Sequence, residues 1–174
     1  MPAAIRRSYE RMRTLLILRH GKAAPEEGGS DEARPLTKRG KREADQMGQL
    51  LRKDDLVPDR ILASSARRTR ETARQVATAA HFSGSIDDLN ELYLAEPEAY
   101  ITAVRRHAPG AQRVLLVGHN PGLEALALIL TGDPVSLPPA GLVVCSLPIA
   151  SFAELAPQVR GQMARFARPT DAED

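Results

Sequence analysis

Short apolar runs separated by polar segments predict a series of buried strands along the chain. Runs of about four to eight apolar residues bounded by turn signals are typical of strands that are covered on both faces. Weaker runs near residues 85–89 and 163–166 predict two further strands. The strong runs span residues 15–18, 60–63, 113–117 and 142–147.

Helices are predicted between these strands, where apolar residues recur at three- and four-residue spacing. The first helix follows Thr37, whose hydroxyl is a good N-cap. A second helix carries the apolar positions of residues 72–80, and a third runs over residues 97–106. The fourth covers residues 123–130 and ends at Gly132. Each of these helices has an apolar side that can cover a sheet.

Strands that alternate with helices predict an α/β fold with a mostly parallel sheet, arranged as a three-layer α/β/α sandwich. No obvious helix joins the last two strands, so one of them can run antiparallel. The chain has 174 residues and no linker that would divide it, so residues 12–170 are expected to form a single domain. Residues 1–11 are expected to be a flexible extension.

Composition argues against several classes of partner. Lys and Arg number 24 against 22 Asp and Glu, and aromatic residues make up 3% of the chain. Nucleic-acid surfaces normally combine a basic stripe with stacking aromatics, so no nucleic-acid partner is expected. No run approaches the roughly 20 apolar residues of a membrane span, and the N-terminus lacks the apolar centre of a secretory signal. A cytoplasmic protein without a membrane partner is therefore expected.

Side chains suited to binding phosphate follow three of the predicted strands. Arg19 and His20 follow the first strand, Arg67 and Arg68 come soon after the second, and His119 follows the fourth. In open α/β sheets, ligands bind beyond the carboxyl ends of the strands. The arginine pair and His119 also precede helices, whose N-termini favour anions. The pattern predicts a pocket in which two imidazoles and at least two guanidinium groups surround a tetrahedral dianion.

Such a pocket can transfer a phosphoryl group without a metal ion or another cofactor. A neutral imidazole is a nucleophile that forms a phosphoramidate with phosphorus. A guanidinium group binds two phosphate oxygens at once and stabilises the charge that spreads over the transferred group. Zinc is not expected between His20 and His119, because neighbouring arginines repel a cation and no Cys or Asp stands at ligand spacing.

Five segments of the chain, taken together and in order, resemble the histidine phosphatase superfamily, whose fold is called phosphoglycerate mutase-like. The triplet Arg19-His20-Gly21 within LILRHGK resembles the signature of that family. The other segments are RPLTKRG (34–40), SSARRTRETA (64–73), LNELY (89–93) and VGHNPG (117–122). The third segment departs from the family pattern at Ser65 and Thr69, where the family has Pro and Ala. The resemblance covers roughly residues 14–147.

The resemblance implies a role for each residue of the predicted pocket. His20 would be the nucleophile, and Arg19, Arg68 and His119 would bind the phosphoryl oxygens. The alignment of the segment 64–73 selects Arg68 rather than Arg67 as the second phosphate-binding arginine.

Glu91 and Asn120 have two interpretations each. Glu91 falls where the family carries a carboxyl group that protonates the leaving oxygen, but it can also be a loop carboxylate that pairs with an arginine. A phosphohistidine leaves as an imidazole that can already be protonated, so an acid is not essential for that substrate. Asn120 can contact phosphate through its backbone N–H or stabilise the turn. Lys22 and Arg34 either line the entrance or are ordinary exposed charges.

The remaining candidate side chains are interpreted as structural or exposed. His81 and His107 lie near predicted helix ends and are expected on the surface. Cys145, the only cysteine, lies in an apolar run and is expected to be a small buried side chain rather than a reactive thiol.

Short connections between the matching segments leave no room for the insertions that cover the site in mutases and phytase-like members. The chain therefore most resembles the SixA-type phosphohistidine phosphatases, which implies a phosphatase acting on protein phosphohistidine through phospho-His20. One alternative is a small-molecule phosphomonoesterase or a mutase of the same superfamily. Another is a non-catalytic module that binds phosphoproteins. The expected partner is thus a phosphorylated protein or a small phosphorylated compound.

Overall fold

A computed structural model describes residues 11–169, in which six strands form one sheet. The strands are β1 (Arg13–Arg19), β2 (Arg60–Ser64), β3 (Ile86–Leu89), β4 (Arg113–Gly118), β5 (Leu142–Leu147) and β6 (Gln162–Ala167). Their order across the sheet is β3-β2-β4-β1-β5-β6. Every predicted strand is present. The predicted extension, residues 1–11, lies outside the described residues except for its last residue.

Four α-helices connect the strands, and their ends follow the predicted signals. The helices are α1 (Lys38–Lys53), α2 (Arg67–Ala79), α3 (Pro97–His107) and α4 (Gly122–Thr131). Thr37 caps α1, because its side-chain oxygen accepts a hydrogen bond from the backbone N–H of Gly40 at 3.0 Å. Gly132 ends α4 with a φ of 77°, in the left-handed region that favours glycine. Within residues 11–169, no helix has the length and apolar composition needed to cross a membrane.

The sheet is parallel except for one strand. β1 pairs in parallel with β4, β4 with β2, and β2 with β3. β5 pairs antiparallel with both β1 and β6, so among the described strands β5 alone runs against the others. The prediction of a mostly parallel sheet with one antiparallel strand is confirmed.

Both faces of the sheet are covered by helices, as the three-layer prediction requires. Side chains alternate between the two faces along β1, so Leu15 and Ile17 pack with α3 and α4. Leu16 and Leu18 point the other way and pack with α1 and α2. Burying each of these leucines contributes about 1.5–3 kcal/mol to stability. β1 is therefore fixed from both sides, and so is the residue that follows it.

Candidate active site

His20 and His119 lie side by side beyond the carboxyl ends of two neighbouring strands. Their ring centroids are 5.4 Å apart, and the ring planes are inclined at 58°. His20 directly follows β1 and His119 directly follows β4, and these two strands are parallel neighbours. The backbone N–H of His20 donates to the carbonyl oxygen of Gly118 at 3.1 Å. The strand pairing thus continues to the two histidines and brings their rings together.

The hydrogen bond of His20 defines which of its ring nitrogens is available as a nucleophile. Nδ1 lies 2.7 Å from the carbonyl oxygen of Gly21. A carbonyl oxygen only accepts, so Nδ1 carries the proton of the neutral ring and Nε2 keeps its lone pair. Burial lowers the pKa of His20 to about 4, and the positive charges of Arg68 and Arg19 act in the same direction. The ring is therefore neutral at pH 7.

His119 is almost fully buried and is held by three polar contacts. Its Nε2 lies 2.7 Å from Oγ of Ser64, its Nδ1 lies 3.4 Å from Nη2 of Arg68, and its backbone N–H donates to the hydroxyl oxygen of Tyr100 at 3.0 Å. A guanidinium group only donates, so Nδ1 is the acceptor and Nε2–H donates to Ser64. Burial, with the neighbouring His20 and Arg68, lowers the pKa of His119 to about 3. Its orientation and tautomer are therefore fixed.

Arg68 is anchored to Asp31 by two hydrogen bonds. Its Nη1 donates to the backbone carbonyl oxygen of Asp31 at 2.8 Å, and its Nη2 donates to Oδ2 of the same residue at 3.0 Å. Arg68 is 3% exposed in the first turn of α2, so its guanidinium group needs such a partner. The adjacent Arg67 is half exposed and pairs with Glu71 at 2.7 Å. The structure therefore brings Arg68, and not Arg67, to the histidines.

Tyr93 lies between Asp31 and His119. Its hydroxyl donates a hydrogen bond to Oδ2 of Asp31, and its ring meets the His119 ring edge-on, with centroids 5.6 Å apart and planes at 88°. Nη1 of Arg34 lies 3.0 Å from the other carboxylate oxygen of Asp31. The Tyr93 hydrogen bond, assisted by Arg34 and Arg68, holds the pKa of the Asp31 carboxyl well below its usual range. Asp31 is therefore a carboxylate at neutral pH.

Arg19 and Asn120 are both bound to the carbonyl oxygen of Leu137. Nη1 of Arg19 donates to this oxygen at 2.9 Å, and Nδ2 of Asn120 donates to it at 3.0 Å. Nδ2 of Asn120 also donates to Glu124, whose carboxylate accepts the backbone N–H of Leu137 at 2.7 Å. The Asn120 side chain thus stabilises the turn, which is one of its two interpretations, and this network positions Arg19.

The backbone after His20 is tied to α2. The N–H of Gly21 donates to the hydroxyl oxygen of Thr72 at 3.0 Å. The same hydroxyl donates to the carbonyl oxygen of Arg68 at 2.7 Å. One buried threonine therefore links the backbone on which His20 is carried to the helix turn that carries Arg68.

Glu91 contacts a residue other than the two clustered histidines, and its role as proton donor stays a prediction. It belongs to the short 3-10 turn Asn90–Leu92, and its half-exposed carboxylate is 3.5 Å from Nε2 of His107. The residue of this segment that contacts His119 is Tyr93, two positions later. A 3-10 turn directs successive side chains to different sides. The Glu91 carboxylate thus contacts a histidine, where the sequence suggested an arginine.

The other residues singled out in the sequence have simpler surroundings. Lys22 is exposed, while Arg34 is partly buried beside Asp31. His81 is exposed as expected, whereas His107 is only partly exposed and contacts Glu91. Cys145 is fully buried, and burial raises the pKa of its thiol to about 12.

The charges around the two histidines favour an anion. Three guanidinium groups, those of Arg19, Arg34 and Arg68, surround two neutral imidazoles and one carboxylate. Within residues 11–169, no group of three or more His, Cys, Asp or Glu side chains is placed to hold a metal ion. We name Arg19, His20, Arg68 and His119 the histidine cluster. Its guanidinium groups can hold a tetrahedral oxyanion, and Nε2 of His20 can act on it as the nucleophile.

Sequence reasoning missed Asp31 and Tyr93. Asp31 lies in the segment 22–35, whose Gly, Pro and acidic residues indicate an exposed loop, although part of it forms a 3-10 turn. Tyr93 ends the segment LNELY, in which the resemblance directs attention to Glu91. Only their place in the sequence could have drawn attention to them. Tyr93 lies within a segment that resembles the family, and Asp31 lies shortly before another.

Comparison with known proteins extends these observations. A sequence model of the histidine phosphatase superfamily (branch 1) matches residues 15–98. An uncharacterized protein of Mycobacterium tuberculosis is 35% identical over 113 residues, which are 65% of this chain and 69% of that protein. A solved structure from Agrobacterium tumefaciens, named as a phosphohistidine phosphatase SixA, is 30% identical with a TM-score of 0.77, over 90% of this chain and 98% of that chain.

A second solved structure carries a tetrahedral oxyanion. It is the protein histidine phosphatase SixA in complex with tungstate, 25% identical with a TM-score of 0.75, over 90% of this chain and 97% of that chain. The family match includes most of β1 and all of α2, the elements that position His20 and Arg68. The predicted resemblance is confirmed: this chain belongs to the histidine phosphatase superfamily, and its fold is similar to that of the SixA proteins.

Proposed function

We propose that the protein is a phosphatase that removes a phosphoryl group by transferring it to Nε2 of His20. The observation that carries the proposal is the 2.7 Å hydrogen bond from Nδ1 of His20 to Gly21, because it leaves Nε2 unprotonated beside Arg19, Arg68 and His119. Tungstate binding by the SixA protein of similar structure supports an oxyanion site in this fold. Catalysis would require no metal ion.

The proposed reaction has two steps. In the first, the Nε2 lone pair of His20 forms an N–P bond while the bond from phosphorus to the leaving group breaks, and its electron pair goes to the leaving atom. Because Nδ1 keeps its proton, the phosphorylated ring is cationic. In the second step, the oxygen of a water molecule forms a bond to phosphorus while the N–P bond breaks and its electron pair returns to Nε2. The ring leaves as a neutral imidazole without taking up a proton, and the proton lost by the water goes to the phosphate product or to solvent. Arg19 and Arg68 stabilise the charge on the phosphoryl oxygens in both steps.

We further propose protein phosphohistidine as the substrate class. An alkoxide leaving group requires a proton donor, but the Glu91 carboxylate pairs with His107 and the pKa of Asp31 is held low. The hydrogen bond to Asp31 raises the pKa of Tyr93, which makes this phenol a weaker acid than usual. The imidazole of a phosphohistidine can leave without help when its other nitrogen is protonated. Two of the solved structures similar to this chain carry the name SixA, which is given to phosphatases of phosphohistidine, and this supports the proposed substrate class.

Trapping of a phosphoenzyme tests the mechanism. The protein is mixed with a radiolabelled phosphohistidine peptide and denatured rapidly, and the label is expected on the protein, stable to alkali and labile to acid. His20→Ala should abolish labelling, whereas His81→Ala, an exposed histidine, should label normally. Lack of label on the wild-type protein with every phosphorylated substrate would overturn the proposal in favour of a binding module.

Matched peptides test the substrate class. A phosphohistidine peptide and a phosphoserine peptide of otherwise identical sequence are compared by kcat/KM, and the phosphohistidine peptide is expected to be preferred by at least about a hundredfold. Equal or reversed preference would indicate a phosphomonoesterase. Turnover is also expected to be unchanged by EDTA.

A further inference from the structure

A groove with an excess of positive charge lies next to the histidine cluster. It encloses about 410 Å³ and is formed by the loop after His20, by α1, by a pair of prolines before β5 and by the chain after β6. We name it the basic groove. Its lining includes Lys22, Arg39, Glu43, Pro138, Pro139 and Arg168.

Two walls of the basic groove are rigidly connected to the catalytic residues. Lys22 is two positions after His20, so their Cα atoms are at most about 7 Å apart. The Lys22 carbonyl oxygen accepts hydrogen bonds from the backbone N–H of Thr37 at 2.9 Å and from its hydroxyl at 3.1 Å. Pro138 follows Leu137, whose carbonyl oxygen accepts the hydrogen bond from Arg19. A molecule reacting with His20 can therefore reach this groove with a neighbouring part.

Close backbone packing fixes the Lys22 wall to α1. A Cβ atom placed on Gly40 would lie 2.3 Å from the carbonyl oxygen of Lys22, so only glycine permits this approach. Arg39 precedes Gly40 in the same helix turn. Lys22 and Arg39 are thus carried on backbone segments that are in close contact.

Among residues 11–169, the side chains that line the groove carry a net positive charge after their internal ion pair is taken into account. Glu43 accepts a hydrogen bond from Nε of Arg39 at 2.6 Å, so these two charges offset each other. Lys22 and Arg168 are both exposed and remain as two positive charges in the lining. A cleft lined by charges of one sign attracts ligands of the opposite sign. The groove is therefore suited to carboxylate groups.

We propose that the basic groove binds acidic side chains next to the phosphohistidine of a protein substrate. This inference rests on the proposed phosphatase function and names the feature of the substrate that is recognised. A volume of about 410 Å³ falls in the usual range of ligand sites, and it exceeds what a single phosphate group needs. Pro138 and Pro139 add apolar surface against which the carbon chains of a short peptide segment can pack. These features favour a peptide over a second phosphate group.

The test is a comparison of two phosphohistidine peptides, one flanked by Asp and Glu and the other by Asn and Gln. The wild-type protein should show a higher kcat/KM for the acidic peptide, and the ratio of the two values should fall about tenfold in the double variant Lys22→Gln/Arg168→Gln. Arg105→Gln, which removes an exposed charge on α3, should retain the wild-type ratio. Added salt should reduce the ratio for the wild-type protein.

Three results would overturn the proposal. The first is a wild-type ratio near one, and the second is a double variant that keeps the wild-type ratio. The third is a double variant whose kcat/KM falls more for a bisphosphorylated sugar than for the acidic peptide. That result would assign the groove to a second phosphate group. Fluorescence anisotropy measures binding of the unphosphorylated acidic peptide, which involves no phosphoryl transfer. It therefore tests the basic groove separately from the proposed phosphatase function. If neither phosphopeptide is hydrolysed but the acidic peptide binds and the double variant weakens it, only the phosphatase function fails.

Discussion

Asp31 and Arg68 are joined by two hydrogen bonds, one through the backbone carbonyl oxygen of Asp31 at 2.8 Å and one through its carboxylate at 3.0 Å. Asp31→Asn removes a negative charge beside the oxyanion site and weakens one of these bonds. We expect kcat to fall about tenfold because the guanidinium group is held less firmly, while KM does not rise because the site becomes more positive. Steady-state kinetics on a phosphohistidine peptide measure both constants.

The matched control for Asp31 is Glu32→Gln, which removes the neighbouring exposed carboxylate. It should change neither constant by more than about twofold. A higher KM for Asp31→Asn at unchanged kcat would mean that Asp31 contributes to ground-state binding and does not position Arg68.

Arg68 and Arg67 are adjacent in the chain and differ sharply in their surroundings. Arg68→Ala should lower kcat/KM by about a hundredfold or more and also weaken vanadate inhibition, because a donor to the oxyanion is lost. Arg67→Ala should have less than about a twofold effect, since an exposed ion pair such as that with Glu71 contributes little. Circular dichroism melting shows whether either variant is folded. Equal losses in the two variants would contradict the assignment of Arg68.

Glu91→Gln should leave kcat for the phosphohistidine peptide within about twofold of the wild-type value, because the carboxylate pairs with His107 rather than with the histidine cluster. Steady-state kinetics at saturating substrate provide the measurement. A large fall in kcat would show that Glu91 acts as the proton donor after all.

The low pKa values of His20 and His119 make stability depend on pH. In the folded protein these values are about 4 and about 3, whereas in the unfolded chain both imidazoles take up a proton near pH 6.5. Below pH 6.5 the unfolded state therefore binds more protons, and the free energy of unfolding decreases as pH falls towards 4. Each histidine should account for about 1–2 kcal/mol between pH 6.5 and pH 5.

Urea unfolding at the two pH values measures this dependence. In His20→Asn the loss of stability from pH 6.5 to pH 5 should be smaller than in the wild-type protein, since one of the two groups is absent. Proton NMR gives a direct check, because neither imidazole should titrate between pH 8 and pH 5. A titration near pH 6.5 at either ring would contradict the prediction.

Gly40→Ala should destabilise the fold by about 1–3 kcal/mol and also reduce turnover, because the new methyl group displaces the backbone of Lys22 and with it the loop after His20. Gly29→Ala is the matched control, since a Cβ atom there meets nothing within 4 Å. Urea unfolding and kcat/KM are measured on both variants. If Gly40→Ala and Gly29→Ala had the same free energy of unfolding, the close contact between α1 and the loop after His20 would not contribute to stability, and the prediction would be wrong.

The strands, helices and layer order were predictable because they depend on local patterns. The apolar run of β1 and the spacing of apolar residues in α1 are visible within a few residues. The place of the site was also predictable, since parallel strands put their following residues, His20 and His119, at one edge of the sheet.

The partners of these residues were not predictable from local patterns. Asp31 contacts Arg68 across 37 positions and Tyr93 across 62 positions. Which side chains meet over such distances depends on the packing of loops, which leaves no periodic signal in one sequence. The surroundings of Glu91 were not predictable for the same reason. The path of the chain through the 3-10 turn Asn90–Leu92 brings Tyr93 against His119, and no local pattern predicts that path.

The register between β1 and β4 places His20 and His119 side by side. Arg19 lies opposite Gly118 in the parallel ladder, and each of these residues directly precedes a histidine. Main-chain hydrogen bonds between the strands therefore determine the distance between the backbones that carry the two imidazoles. The segments 22–35 and 132–141 instead carry Asp31 and Leu137, which hold Arg68 and Arg19 by hydrogen bonds. The separation of the two imidazoles therefore depends on the sheet, whereas the placement of the two guanidinium groups depends on the loops, so a change in either loop is expected to affect phosphoryl transfer as well as the choice of substrate.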